Sequence, residues 1–161
     1  ILGTSGIHDI VDWQYRIPFG GHRPVTLVFA REKNEKALKK ALLNGQTVVW
    51  YDKKLIGKSD HLLPLINSSL DIESAYYISA TTIAHVVISN NSDAPYTMRN
   101  QSEYDFYNAT NLITIPPHGS TIIDVRTLTK KRKFELQFEV LNALIKPDTH
   151  PLFRIVVRPK Q

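Results

Sequence analysis

The sequence predicts an α+β protein, with an α/β segment over residues 1–74 followed by an all-β sandwich over residues 75–161. Three observations carry this. Strand-length and helix-length apolar patterns alternate up to about residue 74. Beyond it the helical period vanishes, and short alternating segments separated by turn residues take over. Hydrophobic residues make up 42% and charged residues 22%, the balance of a chain that folds into globular domains rather than staying disordered.

In the first segment, Ile1-Leu2 reads as the end of a strand, and Val25-Thr26-Leu27-Val28-Phe29-Ala30 as a strand buried on both faces. A helix follows. Asn34 can cap it, Ala37, Leu38, Ala41 and Leu42 share one face, and Gly45 stands where a left-handed C-terminal cap belongs. Thr47–Tyr51 reads as a second strand, turning at Asp52-Lys53-Lys54 into Leu55-Ile56. A short helix is predicted after Asp60, with Pro64 in its first turn and Leu62, Leu63, Leu65 and Ile66 packing inward. So few strands and helices leave sheet edges and faces under-covered, so the strand near residue 25 is expected to offer an open edge.

From residue 75 the strand-length segments lie near 82–89, 95–100, 103–108, 111–115, 120–126, 134–143 and 152–158. Phe134, Leu136, Phe138 and Val140 alternate with Glu135, Gln137 and Glu139, so one face is buried and one wet. Seven short strands with a turn between each fit an immunoglobulin-like sandwich. The chain has no cysteine, which excludes an inter-sheet disulfide, a thiolate metal site and a cysteine nucleophile. Core packing alone must hold the sheets together.

The net charge of +5 is spread evenly: residues 1–74 hold ten Lys/Arg against eight Asp/Glu, and residues 75–161 hold ten against seven. The single dense run, Lys130-Lys131-Arg132-Lys133, sits between strands and reads as a solvated turn, so no nucleic-acid partner is expected. No apolar run approaches the ~18 residues that span a bilayer, so no membrane partner is expected either. The chain starts at Ile1 and its only methionine is Met98, which predicts a piece of a longer protein. The composition suits the cytoplasm and the periplasm equally.

Two stretches could carry chemistry. Gly3-Thr4-Ser5-Gly6-Ile7-His8-Asp9 follows an apolar start, where an imidazole can bind a metal through one ring nitrogen; a solvated or structurally bonded histidine is the plainer alternative. In Gly20-Gly21-His22-Arg23-Pro24, the glycines allow close approach of an anion and Arg23 offers a bidentate fork for phosphate, against an ordinary glycine turn leading into the strand. His61, His85, His118 and His150 are scattered, with no metal-ligand spacing. No nucleophile elbow, phosphate-cradling loop or zinc helix motif occurs.

The order of these pieces resembles the end of a PHP (polymerase and histidinol phosphatase) domain. It is carried by Gly3–His8, Asp12–Arg16, Gly20–Ala30, Glu35–Leu42 and Asn44–Trp50, and covers about residues 1–70. The sandwich resembles the immunoglobulin-like C-terminal domain of some bacterial PHP phosphoesterases. The resemblance implies a barrel end, a cluster of divalent metals (Zn, Mn or Fe) in the full-length parent, and hydrolysis of a phosphate ester by metal-activated water. It implies His8 as a metal ligand, while His22 and Arg23 stand as the candidate phosphate-binding residues from the glycine stretch itself. The family's Asp-x-His pattern has Gly6 at its aspartate position, so the site is degenerate, deliberately altered, or completed from elsewhere. The fragment alone is expected to be inactive. Self-association through open strand edges is expected as well, and the alternative function is a non-catalytic sandwich that binds carbohydrate or a protein.

Overall fold

The computed structural model describes residues 1–7, 10–19 and 21–160. The chain divides into two compact units, the first made of residues 1–62 and 143–149, the second of residues 63–142 and 150–161.

In the first unit, helix α1 (Val11–Gln14) and a 3-10 turn (Ile17–Phe19) lead to strand β1 (Val25–Val28). Helix α2 (Glu35–Leu43), β2 (Thr47–Tyr51) and β3 (Lys54–Gly57) follow, then helix α3 (Ser59–Ser69), within which the division between units falls. The sheet order is β1-β2-β3-β10, where β10 is Ala143–Leu144 returning late in the chain to lie parallel to β3. The α2 caps form as the residues dictate: the Ala37 N–H donates to Asn34 Oδ1 at 2.8 Å, and Gly45 turns left-handed at φ +66°.

Four expectations need correction here. Residues 1–7 form no strand; instead the Thr26 hydroxyl bonds the backbone of Gly3, and the Thr47 hydroxyl donates to the Ile1 carbonyl at 2.6 Å. β1 is antiparallel to β2 and only half-buried along its length, because it is an edge strand. On α2 only Ala41 is fully buried, while Leu38 and Leu42 are exposed. Pro64 stands inside α3 rather than in its first turn, because the helix already begins at Ser59; it removes the N–H that Asp60 would otherwise bond.

The second unit is built on two sheets. One has the order β11-β9-β6-β7, with β6 Tyr96–Asn100, β7 Leu112–Ile115, β9 Phe134–Val140 and β11 Leu152–Val157. The other is β4-β5-β8, with β4 Leu70–Tyr77, β5 Ile83–Asn90 and β8 Ser120–Arg126. The expected strand at 103–108 is reduced to a single bridge, Phe106 to Val125, flanked by Tyr107 N–H to Asp124 O at 2.7 Å and Arg126 N–H to Asp105 O at 3.0 Å. Inward residues alternate as read: Phe134, Leu136, Phe138 and Val140 are buried, and they share the core with Ala84, Val86, Ile88, Met98, Ile115, Ile123 and Val125.

Asparagines close the loops of this unit. Asn90 donates through Nδ2 to the carbonyls of Ala94 and Pro116 while its Oδ1 accepts from Ser92 N–H. Asn100 repeats the device with Tyr104 O and Ser102 N–H. Tyr77 is a third fastening: its hydroxyl accepts from the Lys131 N–H at 2.6 Å and from the Thr127 hydroxyl at 3.3 Å.

The register gives a sharp contrast between neighbours. Ile123→Ala is expected to cost about 2–5 kcal/mol of unfolding free energy, and Ile122→Ala, on the outer face, to stay within about 0.5 kcal/mol; urea titration followed by circular dichroism measures both. A second expectation concerns alkaline pH. Burial raises the Tyr96 phenol above its ordinary range, partly offset by the Ser69 and Ser92 hydroxyls beside it. Because the folded state resists its ionisation, stability is intact below the unfolded pKa of about 10 and falls as pH rises beyond it. Melting temperature is expected to drop above that point in the wild type, and less steeply in Tyr96→Phe.

Candidate functional site

His8 and Asp9 lie outside the described residues. Gly6, at the position where the resembling family carries aspartate, is exposed and left-handed at φ +56°, with no atom within 4 Å of where a Cβ would stand. Space therefore does not exclude a side chain there. Conformation taxes it, by about 1–2 kcal/mol for most residues and less for aspartate or asparagine.

His22 sits in a small aromatic and basic cleft of the first unit, which also involves Tyr15, Arg16, Tyr51 and Lys53. A tight turn builds one wall. The N–H groups of Phe19 and Gly21 both donate to the Arg16 carbonyl, at 2.8 and 3.2 Å, and Arg16 itself is left-handed at φ +49°. A Cβ at position 21 would lie 1.9 Å from the Tyr15 carbonyl oxygen, so only glycine closes this turn. The other wall is the end of β2. The His22 ring tilts over Trp50 with centroids 4.1 Å apart, and Tyr15 meets Tyr51 edge-on at 6.1 Å.

The tautomer of His22 follows from its partner. Nδ1 lies 2.9 Å from the Arg23 carbonyl oxygen, which only accepts, so Nδ1 carries the proton and Nε2 keeps its lone pair. Arg23 is exposed and lies outside the cleft lining; Arg16 and Lys53 are the cations that line it. The indole nitrogen of Trp50 is buried and has no hydrogen-bond partner among the described residues. An anion held over this aromatic floor would meet Arg16, with Asp52 and Lys53 at the rim and His22 Nε2 able to accept from a hydroxyl. Spacing in sequence hides Arg16 and Lys53, because only the left-handed turns at Arg16 and Asp52-Lys53 bring them beside His22.

Among the described residues no three His, Asp or Glu side chains converge as a metal centre requires. The described residues therefore do not fit a metal ion on their own. The scattered histidines find other partners. His85 Nδ1 lies 2.8 Å from Asp124 Oδ1, His118 Nε2 lies 2.6 Å from Asp93 Oδ1, and His61 stacks on Phe29. These pairs span 39 and 25 residues, which is why no local spacing revealed them.

The basic run is anchored rather than loose. Lys131 Nζ donates to the Tyr104 hydroxyl at 2.7 Å and reaches Glu103, while Lys130 lies over the Tyr77 ring. Hydrogen bonding to Tyr104 raises the Lys131 pKa, and the Tyr104 hydroxyl with the Lys131 charge lowers that of Glu103. Two of the run's four cations are thereby committed to the domain's own aromatic rings.

Comparison with known proteins adds the following. The fold matches the crystal structure of a two-domain protein from Bacteroides vulgatus ATCC 8482, described as containing a predicted PHP-like metal-dependent phosphoesterase, with a TM-score of 0.83 and 24% identity. The match takes in 97% of this chain and 45% of that one, so the chain spans less than half the length of that protein. No curated protein matches the chain. Residues 70–156, more than half of the chain, match the family of Ig-like domains DUF5001, and the chain belongs to that family.

Proposed function

We propose that this chain is the C-terminal part of a PHP-type metal-dependent phosphoesterase, and that the His22 cleft helps place the phosphate ester. The single observation that carries this reading is the fold likeness to the two-domain PHP-like protein over 97% of the chain, which takes in both units. The composition of the cleft agrees with it: Arg16 offers positive charge to an ester oxygen, and Tyr15 and Tyr51 offer a surface for an organic leaving group, with Asp52 and Lys53 beside them. Divalent metal (Zn, Mn or Fe) would supply the activated water in the full-length parent. The described residues assemble no such centre, so the part assigned to this chain is substrate placement.

The test is hydrolysis of an aryl phosphate monoester and diester by the parent protein, with Mn²⁺ or Zn²⁺ and with chelator. Turnover that needs metal is expected, with the 161-residue chain alone inactive; absence of metal-dependent turnover in the parent overturns the reading. Arg16→Ala is expected to raise KM about tenfold with kcat little changed, the loss of one charge-assisted hydrogen bond. Gly21→Ala is expected to cost more than about 1 kcal/mol and to perturb Trp50 fluorescence, because its methyl group meets the Tyr15 carbonyl.

A further inference from the structure

Across the outer face of the β4-β5-β8 sheet one row of side chains is set by register. Tyr76 lies opposite His85, and His85 opposite Asp124. The bridge between Phe106 and Val125 brings Tyr107 beside Asp124 at the far end. The row therefore reads tyrosine, histidine, aspartate, tyrosine across four adjacent chain segments. Strands are spaced about 4.8 Å apart, so the two tyrosine backbones stand about 14 Å from each other.

The two ends and the centre differ in exposure. Tyr76 is 46% and Tyr107 61% exposed, while the side chains of His85 and Asp124 are only 21% and 14% exposed. The polar pair is sunk between aromatic ends on what is formally the wet side of the sheet. It is also pre-set. His85 Nδ1 donates to Asp124 Oδ1 at 2.8 Å, which in the neutral ring leaves Nε2 as the acceptor, and the Tyr76 ring packs against the imidazole at 4.9 Å. At the other end the Arg126 guanidinium lies 4.9 Å from the centre of the Tyr107 ring.

We propose that the row Tyr76–His85–Asp124–Tyr107 is a binding site for a neutral carbohydrate chain laid across the strands. A sugar has C–H faces that stack on aromatic rings and edges of hydroxyl groups that donate and accept hydrogen bonds, and this row alternates in the same way. The tyrosines take ring faces, and His85 Nε2 with the Asp124 carboxylate accept from hydroxyls. An apolar protein surface pressed on the row would cover the second carboxylate oxygen and His85 Nε2 without supplying them donors, which is costly. Asp124 disfavours an acidic polysaccharide at the centre of the row, where the sugar must sit; of the cations at its ends, Arg126 is engaged with Tyr107 and Lys160 lies on the far side of Tyr76 from His85. The site is independent of the His22 cleft and of any phosphoesterase activity.

The experiment is affinity electrophoresis of the 161-residue chain through gels containing single soluble polysaccharides: xylan, galactomannan, a mixed-linkage glucan and, as the acidic comparison, polygalacturonate. Retardation by at least one neutral polymer is expected. Tyr107→Ala should weaken it about tenfold, the worth of one aromatic stacking contact, and Leu152→Ala, exposed on the other sheet, should leave it unchanged. Tyr107 is largely exposed, so its truncation spares the core; far-UV circular dichroism of each variant confirms the fold. No retardation by any neutral polymer, retardation by polygalacturonate alone, or retardation equal in Tyr107→Ala and wild type overturns the proposal. Concentration-dependent dimerisation abolished by Tyr107→Ala also overturns it, since the row would then be an interface between copies.

Discussion

The strict alternation of β9 is the constraint on which the second unit rests. Phe134, Leu136, Phe138 and Val140 all point into the core, and β9 is paired on both sides, with β11 and with β6. Slipping this strand by one residue would carry all four apolar side chains to solvent and bring Glu135 and Glu139 inward. With no disulfide available, that penalty does the work a covalent bond between the sheets would otherwise do. The alternating strands around it then find one register, and the outer-face rows, including the tyrosine–histidine–aspartate row, are by-products of the same register. Rigid placement of surface chemistry here descends from core packing.

The first unit is governed differently. Its edge strand β1 is half-buried throughout, and Trp13, Phe19 and Leu43 are 79%, 88% and 88% exposed. Local chemistry rather than deep packing holds its pieces. Threonine hydroxyls take up the backbone of Ile1 and Gly3, an asparagine caps α2, and a glycine admits a turn that any other residue would block. Such a scaffold is suited to presenting a cleft, and it leaves several large apolar side chains in solvent.

What was legible in the sequence follows this division. The strands of the sandwich could be read because their alternation reports one buried and one wet face, and Asn34 and Gly45 marked the ends of α2 correctly. β4 escaped, because the irregularity between Ile72 and Ser74 breaks its period of two at the place where the pattern would have been counted. β10 escaped because two residues carry no period at all. At the candidate site His22 was legible as a residue of interest, but its company was not. Arg16 and Lys53 join it through left-handed turns, and the His85–Asp124 pair forms across strands, so neither grouping leaves a trace in spacing.

The late return of the chain has a bearing on how the protein is made. Strand β10, which completes the first unit's sheet, lies at residues 143–144, after nearly all of the second unit's sequence. The second unit is itself closed late, where Lys160 exchanges backbone hydrogen bonds with Ala75 and Tyr77. A ribosome delivers residues from the N-terminus, and domains ordinarily fold in that order. Here the unit that emerges first must wait with an open sheet until most of the other has been synthesised. Neither is finished until Ala143–Leu144 and Lys160 have left the exit tunnel. The earlier strands are thus made well before the partners that cover their edges, and need protection from sticking to their neighbours in the interval.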